Sequence, residues 1–267
     1  MSYYGFTQTS IDSLDEINLY KSKKLYYTYK GFDFYYKRVD SSEKLVVGFH
    51  GSVNLNINMP VFRYFEFKLN MLCISDMLVK THRDKNLECA WYLSKKGSNY
   101  NDIYIEILSH FIKPTLYTNV IFTGSSAGGF PSIYYAIYFN STALVMNSQF
   151  YLDKHGKFKE LNGILGLSES DFTNFYIEDS IKKNGLPKKL IIYVNIRDNH
   201  HYNKQYIPFK AFLEGLNTIN TVIEFNEFYG RDPEPKCKNG HHDIQLPGNM
   251  KVFDIISTIL ADQPNQL

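Results

Sequence analysis

The run VIFTGSSAGGFPSIYYAIYF, from Val120 to Phe139, leaves the chain few ways to fold. A strand-like apolar segment and a helix-like apolar segment are separated only by Gly124-Ser125-Ser126-Ala127-Gly128-Gly129. A chain that turns from strand into helix in so few residues bends sharply and strains the central residue. Side chains two positions to either side of that residue would collide, so glycine stands at 124 and 128. The pattern is G-x-S-x-G, and the bend pushes the Ser126 hydroxyl out above the sheet, close to the amides of a helix N-terminus. Ser126 is therefore a candidate nucleophile, with the Ala127 N–H placed to stabilise an oxyanion. A plain glycine turn or a phosphate cradle uses the same residue types, but G-x-G-x-x-G does not match and the motif lies in the middle of the strand series.

The flanking sequence supplies the sheet that such a bend needs. Lys24–Val39 reads as two β-rich runs around Lys30-Gly31, a hairpin. Lys44–Gly51 and Asn70–Asp76 are short continuous apolar runs, as in strands buried on both faces. A helix with an Asn cap is predicted over Asn101–Lys113, a strand over Asn119–Gly124, a helix over Ser126–Tyr138 and a strand over Thr142–Asn147. Ser168–Gly185 reads as a helix stopping at Asn-Gly, followed by strand Lys189–Ile196, helix Gln205–Asn217, strand Thr221–Phe228 and a last helix over Asn249–Leu260. Strands alternating with helices from residue 44 onward imply a three-layer α/β fold. It has a mostly parallel sheet covered on both faces and an antiparallel N-terminal hairpin at one edge. One domain over 1–267 is expected, with a small cap inserted at 151–185 over the carboxyl ends of the strands.

Composition narrows the partners. The chain of 267 residues is 44% hydrophobic and 21% charged with a net charge of +2, which marks neither a nucleic-acid binder nor a basic membrane-surface protein. No run approaches the roughly 18 to 20 apolar residues of a membrane span, and the polar N-terminus lacks a signal-peptide core. Three cysteines, Cys73, Cys89 and Cys237, point to a reducing compartment, so the expected location is cytoplasmic. Twenty-two tyrosines and 20 phenylalanines fit sugar stacking, and equally fit ordinary core packing.

A nucleophilic serine needs a base, and the base an orienting acid. On a sheet of this kind the partners follow in the order serine, acid, histidine, in loops after later strands. Asp198 lies two residues past strand Lys189–Ile196, and His241 and His242 lie in the loop between Phe228 and the last helix. Asp232 and Asp243 are rival acids, Asp243 being too near His242 in sequence for first choice. A second oxyanion donor is expected from the loop after the early strand, where Gly51 and Ser52 are the candidate amides. Cys237, His241, His242, Asp243, Asp198, His200 and His201 include zinc-ligand types, but no C-x-x-C or H-x-x-x-H spacing joins them, and no metal is expected.

These residues resemble the α/β-hydrolase superfamily over about residues 44 to 262, and more narrowly the bacterial capsule-polysaccharide O-acetyltransferases of α/β-hydrolase type. Gly124-Ser125-Ser126-Ala127-Gly128-Gly129 is similar to that group's elbow, and Asn147-Ser148-Gln149 to a shorter form of its Asn-x-x-Gln strand end. Asp198 with His200 and His201, and then His241-His242-Asp243, complete the likeness. His50-Gly51 resembles the His-Gly turn of esterases and lipases. The segments around Asp76 and around Trp91-Tyr92 look like stretches of proteins encoded near surface-glycan genes.

The resemblance implies Ser126, His242 and Asp198 as the catalytic set, with His241 as second choice for the base. It implies His50, Gln149 and His241 as substrate contacts. It further implies acyl transfer through an acyl-serine, from acetyl-CoA as co-substrate to a hydroxyl of a polysaccharide or glycan acceptor, with no bound cofactor. A carboxylesterase or deacetylase would use the same triad, since transfer and hydrolysis differ only in which nucleophile meets the acyl-enzyme. A non-catalytic hydrolase-fold protein of glycan assembly or export is the third reading.

Overall fold

The computed structural model describes residues 2–3, 6–20, 24–39, 42–53, 69–216, 221–229 and 252–261. Strands come first: Ser2–Tyr3 (β1), Phe6–Ile11 (β2), Lys24–Tyr29 (β3) and Phe32–Lys37 (β4). β3 and β4 form the predicted antiparallel hairpin, and Lys30 and Gly31 carry the positive φ angles, 47° and 84°, that a tight two-residue turn demands. The sequence predicts no strand before Lys24, whereas β2 lies parallel to β3 and β1 antiparallel to β2. Phe6–Ile11 reads FTQTSI, too polar to announce itself as a strand by periodicity.

Beyond the hairpin the alternation appears as read. Lys44–Phe49 (β5) and Asn70–Ile74 (β6) precede helices Met77–Thr81 (α1) and Tyr100–Phe111 (α2). Then follow Asn119–Ser125 (β7), Gly129–Tyr138 (α3), Thr142–Met146 (β8), Gly156–Leu165 (α4) and Ile177–Asn184 (α5). Lys189–Asn195 (β9), a single turn at Asn199–His201 (α6), Ile207–Glu214 (α7), Val222–Phe228 (β10) and Val252–Ala261 (α8) complete the series. Among the described residues ten strands form one sheet in the order β1-β2-β3-β4-β6-β5-β7-β8-β9-β10, parallel at every pair from β6 to β10.

The observed helices depart from the expected ones in several places. Asn99, not Asn101, precedes α2, and the Asn101 side chain instead accepts the Tyr135 hydroxyl at 3.4 Å. Residues 168–185 are not one helix. A 3-10 turn at Glu169–Asp171 comes first and α5 starts only at Ile177, although it does stop before Gly185, whose φ is 84°. The sequence does not announce α4, because Gly156 and Gly163 dilute its helical pattern.

Alternate residues of the parallel strands feed opposite cores, the condition for a sheet covered on both faces. Leu45, Val47 and Phe49 join Phe122, Ala143 and Val145 against α2, α3 and α7, while Val46, Ile121, Leu144 and Met146 pack with Ile255, Ile256 and Ile259 of α8. Each large apolar side chain so buried contributes on the order of 1.5–3 kcal/mol. The aromatic richness largely serves this packing: Trp91, Tyr35, Tyr36, Tyr92, Tyr104, Tyr135 and Tyr206 are fully buried.

The strand order also places the site. From β5 the chain moves to β6 on one side, then crosses back to β7 on the other. Such a switch point opens a crevice at the carboxyl ends of the two strands, where ligands of open α/β sheets bind. His50 and Gly51 follow β5 there, and Ser126 follows β7. No helix among the described residues is long and apolar enough to cross a membrane.

Candidate active site

β7 runs straight into a 3-10 turn at Ser126–Gly128 that leads into α3, so the bend has no loop to spread over. The strain falls on Ser126, whose φ of 53° is left-handed, a conformation rare for a residue with a side chain. Its backbone is held on both sides: Ser126 N–H donates to Asn147 O at 3.1 Å, and Gln149 N–H donates to Ser126 O at 3.1 Å. The glycines are required by contact. A Cβ on Gly128 would stand 2.3 Å from Phe49 O, and one on Gly129 would stand 2.1 Å from Ser148 Oγ.

Ser126 is 8% exposed, and its Oγ accepts a hydrogen bond from Gln149 Nε2 at 3.1 Å. The orientation of that amide is set from its other end. Trp91 Nε1–H, which can only donate, meets Gln149 Oε1 at 2.5 Å, so Nε2 is the atom turned to the serine. The same Nε2 lies 3.4 Å from His201 Nε2, and an amide N–H there requires that imidazole nitrogen to be the acceptor. His201 Nδ1 faces Asp198 Oδ2 at 2.9 Å. Asp198 is 1% exposed and also caps α6, its Oδ1 accepting His201 N–H at 3.2 Å. Serine, amide, imidazole and carboxylate thus form one connected row at the carboxyl end of the sheet.

Two further imidazoles border this row. The rings of His155 and His200 are 5.2 Å apart, His155 and His201 6.3 Å, and Trp91 and His155 6.0 Å. His155 belongs to the 151–185 segment, which is pinned to residues 94–98 by Lys96 N–H to Asp171 O at 2.7 Å and Thr173 N–H to Ser94 O at 3.0 Å. A π-type turn at Tyr202–Tyr206 follows His201 directly, an irregularity frequent at functional sites.

The predicted oxyanion residues divide. Gly51 backs onto the elbow, a Cβ there standing 3.6 Å from Ser126 Cβ and 3.9 Å from Ala127 N. Ala127 sits in the first turn, where an amide has no intrahelical acceptor. Ser52 is exposed and its hydroxyl turns to Glu88 at 3.5 Å. His50 braces the turn: Nδ1 contacts Gly51 O at 2.8 Å and Nε2 accepts Asp76 N–H at 3.1 Å. Burial lowers the His50 pKa to about 4, and burial raises that of Asp76 to about 6 against the pull of four backbone N–H groups.

His241 and His242, together with Asp232, Cys237 and Asp243, lie outside the described residues. Among the described residues no group of three His, Cys, Asp or Glu side chains is arranged to hold a metal ion. Sequence patterns do not mark Trp91 or His155 as site residues, and mark His201 only within the Asp198 loop. The D-N-H-H run is the available signal for His201, since an Asp that caps a helical turn brings the residue three places on against its own carboxylate.

The sequence matches no family model and no curated protein. Solved structures do match. The capsule O-acetyltransferase of Neisseria meningitidis serogroup A is 18% identical with a TM-score of 0.65, over 90% of this chain and 95% of that one. A thermophilic esterase from the Planctomycetes species Thermogutta terrifontis is 16% identical with a TM-score of 0.50, over 86% of this chain and 85% of that one. The Pyrococcus horikoshii acylaminoacyl peptidase is 11% identical with a TM-score of 0.53, over 95% of this chain but 43% of its own. At these identities the likeness is one of fold, and that fold is the α/β hydrolase.

Proposed function

We propose that this chain, an α/β-hydrolase fold, is an enzyme that transfers acyl groups through Ser126, with acetyl-CoA as donor and a hydroxyl of a surface polysaccharide as acceptor. One observation carries the chemistry: Ser126 takes a left-handed φ of 53° at the strand–helix bend, the strained geometry of a nucleophile on a G-x-S-x-G turn. The acceptor class is supported by the likeness to a capsule O-acetyltransferase along 90% of the chain.

In this reading Ser126 Oγ forms a bond to the acetyl carbon as the C–S bond of the thioester breaks. The serine proton moves to a histidine and from there to the departing thiolate. A sugar hydroxyl then attacks the acetyl-serine, giving its proton to the same histidine, which returns it to Ser126 Oγ as the ester bond to serine breaks. Ala127 N–H, with Gly51 beside it, faces the charge that develops on the carbonyl oxygen.

His242 is the base in this mechanism and Asp198 the acid. Parallel pairing of β10 with β9, and Ile196 N–H bonded to Phe228 O at 2.9 Å, support it: the chain that carries His242 leaves the sheet at the end where Asp198 lies. His201 has the rival claim, from its 3.4 Å approach to the Gln149 amide that also meets Ser126 Oγ. The segment at 151–185, with His155 beside the row, is the cap that limits access of water.

Incubation with acetyl-CoA and acetyl-free capsule-type glycans tests the reading. Release of free CoA with acetylated sugar is expected. Acetate as the sole product makes the protein a hydrolase with the same serine, and no CoA release removes the thioester donor.

A further inference from the structure

We infer that Gln149 is a catalytic hydrogen-bond donor to the reacting oxygen of Ser126, held in place by Trp91 and His201; this rests on Ser126 being the nucleophile. Oγ takes on negative charge twice in acyl transfer, as it attacks and as it leaves. A donor fixed on that atom stabilises both moments without having to reorganise.

The amide is held at every polar atom. Oε1 accepts from Trp91 Nε1–H, and the two hydrogens of Nε2 are directed to Ser126 Oγ and His201 Nε2. Rotating the amide by 180° would set Nε2 against the indole donor and leave Oε1 facing the serine, so one orientation is enforced.

The backbone around it is equally fixed. Asn147 has a φ of 41°, its Oδ1 accepts Asn195 N–H at 2.7 Å, and Gln205 Oε1 accepts both Phe150 N–H and Tyr151 N–H at 2.8 and 2.7 Å. On the far side Trp91 and Tyr92 are consecutive left-handed residues with φ of 53° and 57°, a costly arrangement for bulky side chains. Buried Asp76 holds that bend by accepting Tyr92 N–H at 2.9 Å. Left-handed residues thus stand at the nucleophile, two places before Gln149, and at the indole that holds its amide.

The rate of Ser126 modification by a fluorophosphonate tests this, because the attacking serine passes through the same anionic stage. Gln149→Leu is expected to slow labelling by about 10²–10³-fold, the size of effect that follows loss of one oxyanion-type donor. Trp91→Phe keeps a ring but frees the amide to rotate, and should slow labelling by a smaller factor. Gln149→Glu supplies a readout that packing would not move. Its rate relative to wild type should rise as pH falls and the carboxyl gains the proton that it can donate. Folded Gln149→Leu that labels at the wild-type rate, or a pH-independent ratio for Gln149→Glu, overturns the role of Gln149 alone. A wild-type protein that is not labelled at Ser126 overturns the acyl-serine reading and this inference with it.

Discussion

Gly124 and Gly128 meet across the bend with no space for a side chain: a Cβ on Gly124 would stand 2.3 Å from Gly128 O. Gly124 is thus constrained by the backbone of Gly128, and Gly128 in turn by that of Phe49 and His50. Gly124→Ala should lower the denaturant midpoint by an equivalent of about 1–3 kcal/mol or more, since backbone rather than a flexible side chain must move. An unchanged midpoint would mean that the bend relaxes at no cost.

Strain at Ser126 predicts a trade between stability and reactivity. Ser126→Gly and Ser126→Ala both lose the hydroxyl, but only glycine adopts a φ near 53° freely. Ser126→Gly should therefore be the more stable of the two by on the order of 1 kcal/mol in chemical denaturation.

The elbow is legible in the sequence because its cause is local. Two glycines, a serine and apolar flanks state a sharp bend within a few residues, and the strand–helix rhythm after Lys44 states the sheet that holds it. The Ser126–Gln149–His201–Asp198 row is only half legible. Asp198 follows from strand order, but the amide of Gln149 is held by Trp91, a left-handed residue, and no sequence periodicity records a positive φ on an aromatic residue. β2 escapes for the opposite reason, its polar FTQTSI relying on β3 rather than on its own pattern.

His50 and Asp76 make opposing demands on pH. The pKa of His50 is lowered to about 4 by burial, so the unfolded chain binds more protons and stability rises with pH between about 4 and 6.5. That of Asp76 is raised to about 6 by burial, so the folded chain binds more protons and stability falls with pH between about 4 and 6. A tenfold difference in acidity between the folded and unfolded chain is worth roughly 1.4 kcal/mol, and the two slopes largely cancel where they overlap. His50→Gln should expose a fall in denaturant midpoint from pH 4 to 6, and Asp76→Asn a rise from pH 4 to 6.5. Profiles parallel to wild type in both variants would contradict the assignment.

The two histidines with a claim to the base part cleanly on replacement. His242→Gln should slow Ser126 labelling by about 10²–10⁴-fold, as loss of a general base does. His201→Gln should cost less, because it loosens Gln149 without removing the proton acceptor. The reverse ranking would make His201 the base.

The most direct measurement is intact mass followed by peptide mapping after brief exposure to a fluorophosphonate. A nucleophilic Ser126 predicts a single adduct on the peptide that contains it, complete in the wild type and absent in Ser126→Ala. An unmodified wild-type protein, or an adduct that survives Ser126→Ala, would contradict it.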